Sequence, residues 1–147
     1  MNIRAYRDDD FPSIAEIYDS SKLDELVFEE GPFELLPLER DEKRLKETME
    51  STLYVYEDGE ILGYGAVFGN EIRALFVHPS SRGKGVGKKL LDHLISQAET
   101  PVLLHVAKSN STAKSIYQKH GFRVTDEYVA TYDGKQVLAN IMVQEVC

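Results

Sequence analysis

The run from Arg82 to Lys89, Arg-Gly-Lys-Gly-Val-Gly-Lys-Lys, holds the clearest chemical signal in the sequence. Gly83, Gly85 and Gly87 alternate, so the backbone lacks Cβ atoms where it would approach a ligand. Val86, Leu90, Leu91, Leu94, Ile95 and Ala98 then recur at three- and four-residue intervals. That spacing predicts a helix of about three turns whose first N–H groups and positive dipole end face the glycines. Arg82, Lys84, Lys88 and Lys89 add positive charge, and a pyrophosphate is the ligand this arrangement suits. A plain flexible turn would explain the glycines but not the cations gathered at a helix start. The P-loop spacing fails, because Gly87-Lys88 is followed by Lys89 and the upstream glycine position holds Arg82. The dinucleotide fingerprint fails as well, since its last glycine would fall on Lys88 or Leu90.

Elements that could hold this loop in place can be read on both sides of it. Ile3–Tyr6 reads as a first strand, and the Asp8-Asp9-Asp10 cluster before Pro12 predicts a helix carrying Phe11, Ile14, Ile17 and Tyr18. Residues 21–36 lack periodicity and form a candidate lid, after which Pro37 is expected to start a second helix with Leu38, Leu45 and Met49 on one face. Leu53–Tyr56 and Ile61–Phe68 flank Asp58-Gly59, a pair that favours a primed hairpin turn. Ile72–Val77 is a strand stopped by His78-Pro79, and beyond the glycine helix Pro101 precedes the strand Val102–Val106. Asn110 or Ser111 caps a short helix with Ala113, Ile116 and Tyr117 that stops at Gly121. Val124–Tyr132 and Gln136–Val143 close the chain as a hairpin around Asp133-Gly134. The order β-α-α-β-β-β-α-β-α-β-β implies a mixed α/β fold.

Arg82-x-x-Gly85-x-Gly87, preceded by Leu75-Phe76-Val77-His78-Pro79, closely resembles the acetyl-CoA signature of the GNAT N-acetyltransferase superfamily. Asn110-x-x-Ala113-x-x-x-Tyr117-x-x-x-Gly121-Phe122 looks like the downstream motif of that family. The resemblance spans roughly residues 60–145, is specific over 72–122 and weakens before 50. It implies a mostly antiparallel central sheet flanked by helices. It also implies acetyl-CoA as co-substrate, with pyrophosphate contacts from Arg82, Gly83, Lys84, Gly85, Val86, Gly87 and Lys88. Main-chain contacts from Leu75, Phe76 and Val77 would reach the pantetheine arm, one of these amides polarising the thioester carbonyl. Asn110 would help to hold the pantetheine, a role compatible with capping a helix.

Acetyl transfer to an amine is helped by a base or a proton-conducting water chain, because an ammonium of pKa about 10.4 is almost wholly protonated at neutral pH. The departing thiolate needs a proton, which a tyrosine of ordinary pKa about 10 can supply. By resemblance Tyr117 is that acid. His105 is the first candidate base and shares a strand face with Leu103 and Ala107; Glu71, acting through a water, is the second. A structural histidine and a solvated strand-end carboxylate are the simpler alternatives. His78 and His120 read as boundary residues, and no histidine spacing supports a metal. The other function class compatible with these motifs is a non-catalytic acyl-CoA sensor or protein-interaction module.

Composition bounds the remainder. A chain of 147 residues supports a single domain over 1–147, and its apolar runs fall well short of the roughly 20 residues of a membrane span. Charges at Arg4, Arg7 and Asp8 do not suit a secretory leader, so a cytoplasmic setting is expected. Net charge −8 argues against nucleic acid as a partner. The carboxylates between Asp24 and Glu42 read as solvated surface or as an attraction for a cationic acceptor, which would enter from the side built by residues 22–50. The single cysteine, Cys147, offers neither a disulfide nor a thiolate metal site, and a homodimer through the last strands is an expectation.

Overall fold

Seven strands form one sheet in a computed structural model that describes residues 2–144; Cys147 lies outside the described residues. The elements run β1 (Ile3–Ala5), α1 (Phe11–Ser21), α2 (Glu42–Glu50), β2 (Thr52–Asp58), β3 (Glu60–Phe68) and β4 (Glu71–Val77). Then come α3 (Val86–Gln97), β5 (Leu103–Ala107), α4 (Ser111–Lys119), β6 (Phe122–Tyr132) and β7 (Lys135–Gln144). This is the element order read from the sequence. Spatially the strands lie β1-β2-β3-β4-β5-β7-β6, and every pairing is antiparallel except β4 with β5.

Period-two alternation divides the sheet into two apolar faces. On one, Leu53, Val55, Tyr64 and Ala66 pack against Ile14, Ile17 and Tyr18 of α1. On the other, Ile72, Leu104, Val106 and Met142 meet Leu91 and Leu94 of α3. The closeness of α3 depends on two glycines of β3. A Cβ on Gly65 would lie 2.5 Å from a Leu94 methyl, and one on Gly63 would lie 3.0 Å from a Leu90 methyl.

Three local expectations are corrected. Pro37 does not open α2: Leu38–Arg40 is a separate 3-10 turn, and the helix starts at Glu42 because the Asp41 carboxylate accepts from the Arg44 amide at 3.1 Å. Leu38 is therefore buried under α1, whereas Met49 is exposed. The Asp58-Gly59 turn is not primed at both residues, since only Gly59 takes positive φ, at 76°. Asp133 and Gly134, at φ 53° and 71°, form the doubly left-handed turn instead.

Candidate active site

The parallel pairing of β4 with β5 covers only Glu71 opposite Leu103 and Ile72 opposite Leu104. Beyond those residues both strands continue but no longer pair, which opens a split in the middle of the sheet. Which amides face it follows from the ladder with β3. The His78 amide donates to the Leu62 carbonyl at 2.8 Å, and alternation assigns Phe76 and Ala74 to the same bonding side. The Leu75 and Val77 amides therefore point into the split, where β5 provides no acceptor. Phe76 departs from the sequence expectation here. Its amide belongs to the β3 ladder, and its ring packs on Tyr18 at 5.4 Å and Tyr64 at 5.6 Å.

The glycine loop lies at the end of β4. Gly83 and Gly85 both take φ 81°, in the left-handed region where glycine alone is unstrained. Gly85 is the N-cap of α3, and the first helical bond runs from the Lys89 amide to the Gly85 carbonyl. The amides of Gly85, Val86, Gly87 and Lys88 thus have no acceptor among the described residues. Val86 is buried and anchors the turn, while Gly87 lies over Val77, whose methyl would be 3.5 Å from an added Cβ. Lys84 and Lys88 are exposed. Arg82 donates to the Val77 carbonyl at 3.4 Å and pairs with Asp24 at 2.7 Å. Unpaired amides at the loop, followed by unpaired amides along β4, form a donor track suited to a diphosphate joined to an extended amide-bearing arm.

On the α1 face the split widens into a cleft of ≈ 570 Å³. Its floor is kept low by Ala66, Ala107, Ala130 and Ala139. The two base candidates meet there. Glu71 begins β4 directly across from Leu103, and His105 follows two residues along β5 on the same face, so its Nε2 lies 3.5 Å from the Glu71 carboxylate. The His105 Nδ1 is 2.7 Å from the Tyr128 hydroxyl. Composition gave no hint of Tyr128. Register brings it in, because Tyr128, Ala139 and Ala107 line up across β6, β7 and β5, and the two alanines leave room for the ring to lean inward.

Tyr117 approaches from α4, half-buried, with its ring 6.0 Å from that of Phe122. Burial, with a smaller push from Glu25, raises its hydroxyl to about 12, so it holds its proton throughout the neutral range. Asn110 caps α4, its side-chain oxygen accepting from the Ala113 amide at 3.4 Å. His78 and His120 are engaged elsewhere, His78 with Ser80 and His120 with Asp92 and the Ile116 carbonyl. Among the described residues no three His, Cys, Asp or Glu side chains gather as a metal ion would need.

Part of the acidic segment is engaged within the chain, while Glu30, Glu34, Glu39 and Glu42 are exposed. Asp24 is paired with Arg82, Glu25 with the buried Lys22, and Glu29 accepts from the Ser109 hydroxyl. Through Asp24 and through Leu26, which packs on Ala107, the 3-10 turn Lys22–Leu26 reaches from the glycine loop to β5.

Comparison with known proteins places this geometry. Over 71 residues, 48% of each chain, the sequence is 35% identical to peptidyl-lysine N-acetyltransferase YjaB of Salmonella typhimurium. The chain therefore spans about half the length of the curated relatives it matches. The solution structure of apo YjaB from Escherichia coli superposes with a TM-score of 0.70 at 26% identity, covering 96% of this chain and 95% of that one. A phosphinothricin acetyltransferase from Sinorhizobium meliloti, solved in complex with AcCoA, shares the fold with a TM-score of 0.71 at 22% identity, over 98% of this chain and 88% of that one. The model of the acetyltransferase (GNAT) domain matches residues 49–124, which is 76 of 147 residues. Those residues supply β3, β4, the glycine loop, α3, β5 and α4, the elements that carry the donor track, and the chain accordingly belongs to the GNAT acetyltransferase family.

Proposed function

We propose that this protein transfers an acetyl group from acetyl-CoA directly to an amine within a ternary complex. The split between β4 and β5 carries the reading, because it joins an anion-binding helix start to a row of open amides and leads into a cleft that contains a candidate base. Arg82 and the loop from Gly83 to Lys88 hold the diphosphate. The Leu75 and Val77 amides hold the pantetheine arm and polarise the thioester carbonyl, with Asn110 steadying the arm from α4. His105 takes the proton of the attacking ammonium and is oriented by Glu71 and Tyr128. Nitrogen then bonds to the acetyl carbon, the carbon–sulfur bond breaks, Tyr117 protonates the departing thiolate, and the second proton shed by the nitrogen passes through solvent to the tyrosinate, leaving the amide and the free thiol.

The whole of residues 1–147 acts as one unit in this reading, in a cytoplasmic setting. The exposed apolar side chains Val124 and Val129 on the edge strand β6 support pairing of two copies through the last strands. Thiol release from acetyl-CoA over a panel of amines tests the reading. Release that depends on amine, with a matching acetylated product, is expected. Coenzyme binding with no release on any amine would overturn it in favour of a sensor.

A further inference from the structure

The cleft bears more positive than negative charge, although the chain as a whole is acidic. Its lining includes Lys22, Lys43, Arg44 and Arg73 against Glu25, Glu47 and Glu71. Two of the cations are compensated. Lys22 is paired with Glu25, and Arg73 is held by Glu50 at 2.6 Å and by Glu71 at 3.7 Å. Arg44 differs: it is half-buried, lines the cleft, and has no carboxylate within ion-pair distance among the described residues. Asp41 accepts from the Arg44 amide, not from its guanidinium. Burial pushes the hydroxyls of Tyr18, Tyr128 and Tyr132 up, and the Arg44 charge opposes that push at all three. Its field therefore reaches across the cleft to the tyrosine bonded to His105. A partly buried guanidinium left unpaired carries a desolvation cost that an incoming anion removes, and its planar fork matches a carboxylate.

Building on the acetyl-transfer reading, we infer that the acceptor is a small molecule bearing a carboxylate as well as the amine, and that Arg44 grips that carboxylate while the amine faces His105. The cleft volume lies within the range of small-molecule sites. An acceptor with two or more positive charges is disfavoured by the same Arg44 and by its neighbour Lys43.

The test pairs 5-aminopentanoate with pentylamine, and includes a capped, uncharged-flank lysine peptide as the alternative source of amine. The wild-type protein is expected to show kcat/KM at least tenfold higher for aminopentanoate than for pentylamine, and Arg44→Gln to cut that ratio at least tenfold. Equal use of the two amines, a ratio unmoved by Arg44→Gln, or preference for the capped peptide would overturn the inference. A measurement without chemistry runs beside it: glutarate binding by calorimetry to wild type and Arg44→Gln, both checked for an unchanged melting profile. Binding at least tenfold weaker in the variant supports the anion site even if no amine releases thiol, in which case the transfer reading alone falls. Equal glutarate affinity in both proteins removes Arg44 from recognition whatever the turnover shows.

Discussion

Replacing Tyr117 by phenylalanine removes one hydroxyl and leaves the packing of its ring intact. No hydrogen bond to that hydroxyl is seen among the described residues, and the ring keeps its contact with Phe122. Stability should thus change by less than about 1 kcal/mol, a Tm shift of about 4 °C at most. Catalysis should suffer far more. With a pKa of about 12, the hydroxyl is ionised in roughly one molecule in ten thousand or fewer near pH 7.5, so nearly every molecule has a proton to give. Losing a positioned general acid costs on the order of 10²–10⁴ in rate. Thiol release at pH 7.5 with saturating amine should show kcat reduced by about that factor and KM for acetyl-CoA nearly unchanged. The deficit should shrink for acetyl donors whose thiol has a lower pKa, because such a thiolate leaves without help. A variant with kcat within threefold of wild type would refute the assignment of Tyr117 as acid.

His105→Asn should lower kcat/KM by roughly 10²- to 10⁴-fold, and Glu71→Gln, which acts through His105, should lower it less. The double variant should be little worse than the weaker single one, because the two groups act along one proton path; steady-state kinetics showing multiplied losses would separate them. Asp24→Asn releases Arg82 from a solvent-exposed pair worth about 0–1 kcal/mol, so calorimetry should show coenzyme binding up to about fivefold tighter, and weaker binding would contradict this. Asp10 accepts from both terminal nitrogens of Arg4 at 2.8 and 2.9 Å, and this bonding holds its carboxyl below the ordinary carboxylate value. Its contribution to stability is complete above the unfolded pKa of about 3.9 and is lost as pH falls through the lower folded value. Asp10→Asn should accordingly destabilise the protein at pH 7 and flatten the acid limb of a Tm-against-pH curve; an unchanged limb would exclude this pair as its source.

Much of the fold was legible because its signals are local. The helix after the glycines follows from apolar spacing, β4 from the proline that stops it, and the closing hairpin from Asp133-Gly134. The start of α2 was misplaced because Pro37 and Asp41 are both competent helix openers, and the choice between them depends on Leu38 being buried beneath α1. The donor loop could be read residue by residue, since glycine alternation and cations act where they stand. The cleft could not. Tyr128 reaches His105 only through the register of β5, β7 and β6, and the pairing of Asp24 with Arg82 joins residues 58 positions apart. Acidic composition likewise said nothing of where the carboxylates point, and several of them prove to be engaged by cations or hydroxyls of the same chain. Gly63 and Gly65 were a missed signal: alternate glycines within a strand mark the face against which a helix packs closely.

Whether the free amides at the start of α3 grip a diphosphate is decided by calorimetry with ligand-free protein, comparing coenzyme A with pantetheine, which has the same thiol arm and no diphosphate. Measurable affinity for coenzyme A is expected, with affinity for pantetheine at least a hundredfold lower. Equal affinity for the two, or no binding of coenzyme A at millimolar concentration, would contradict it.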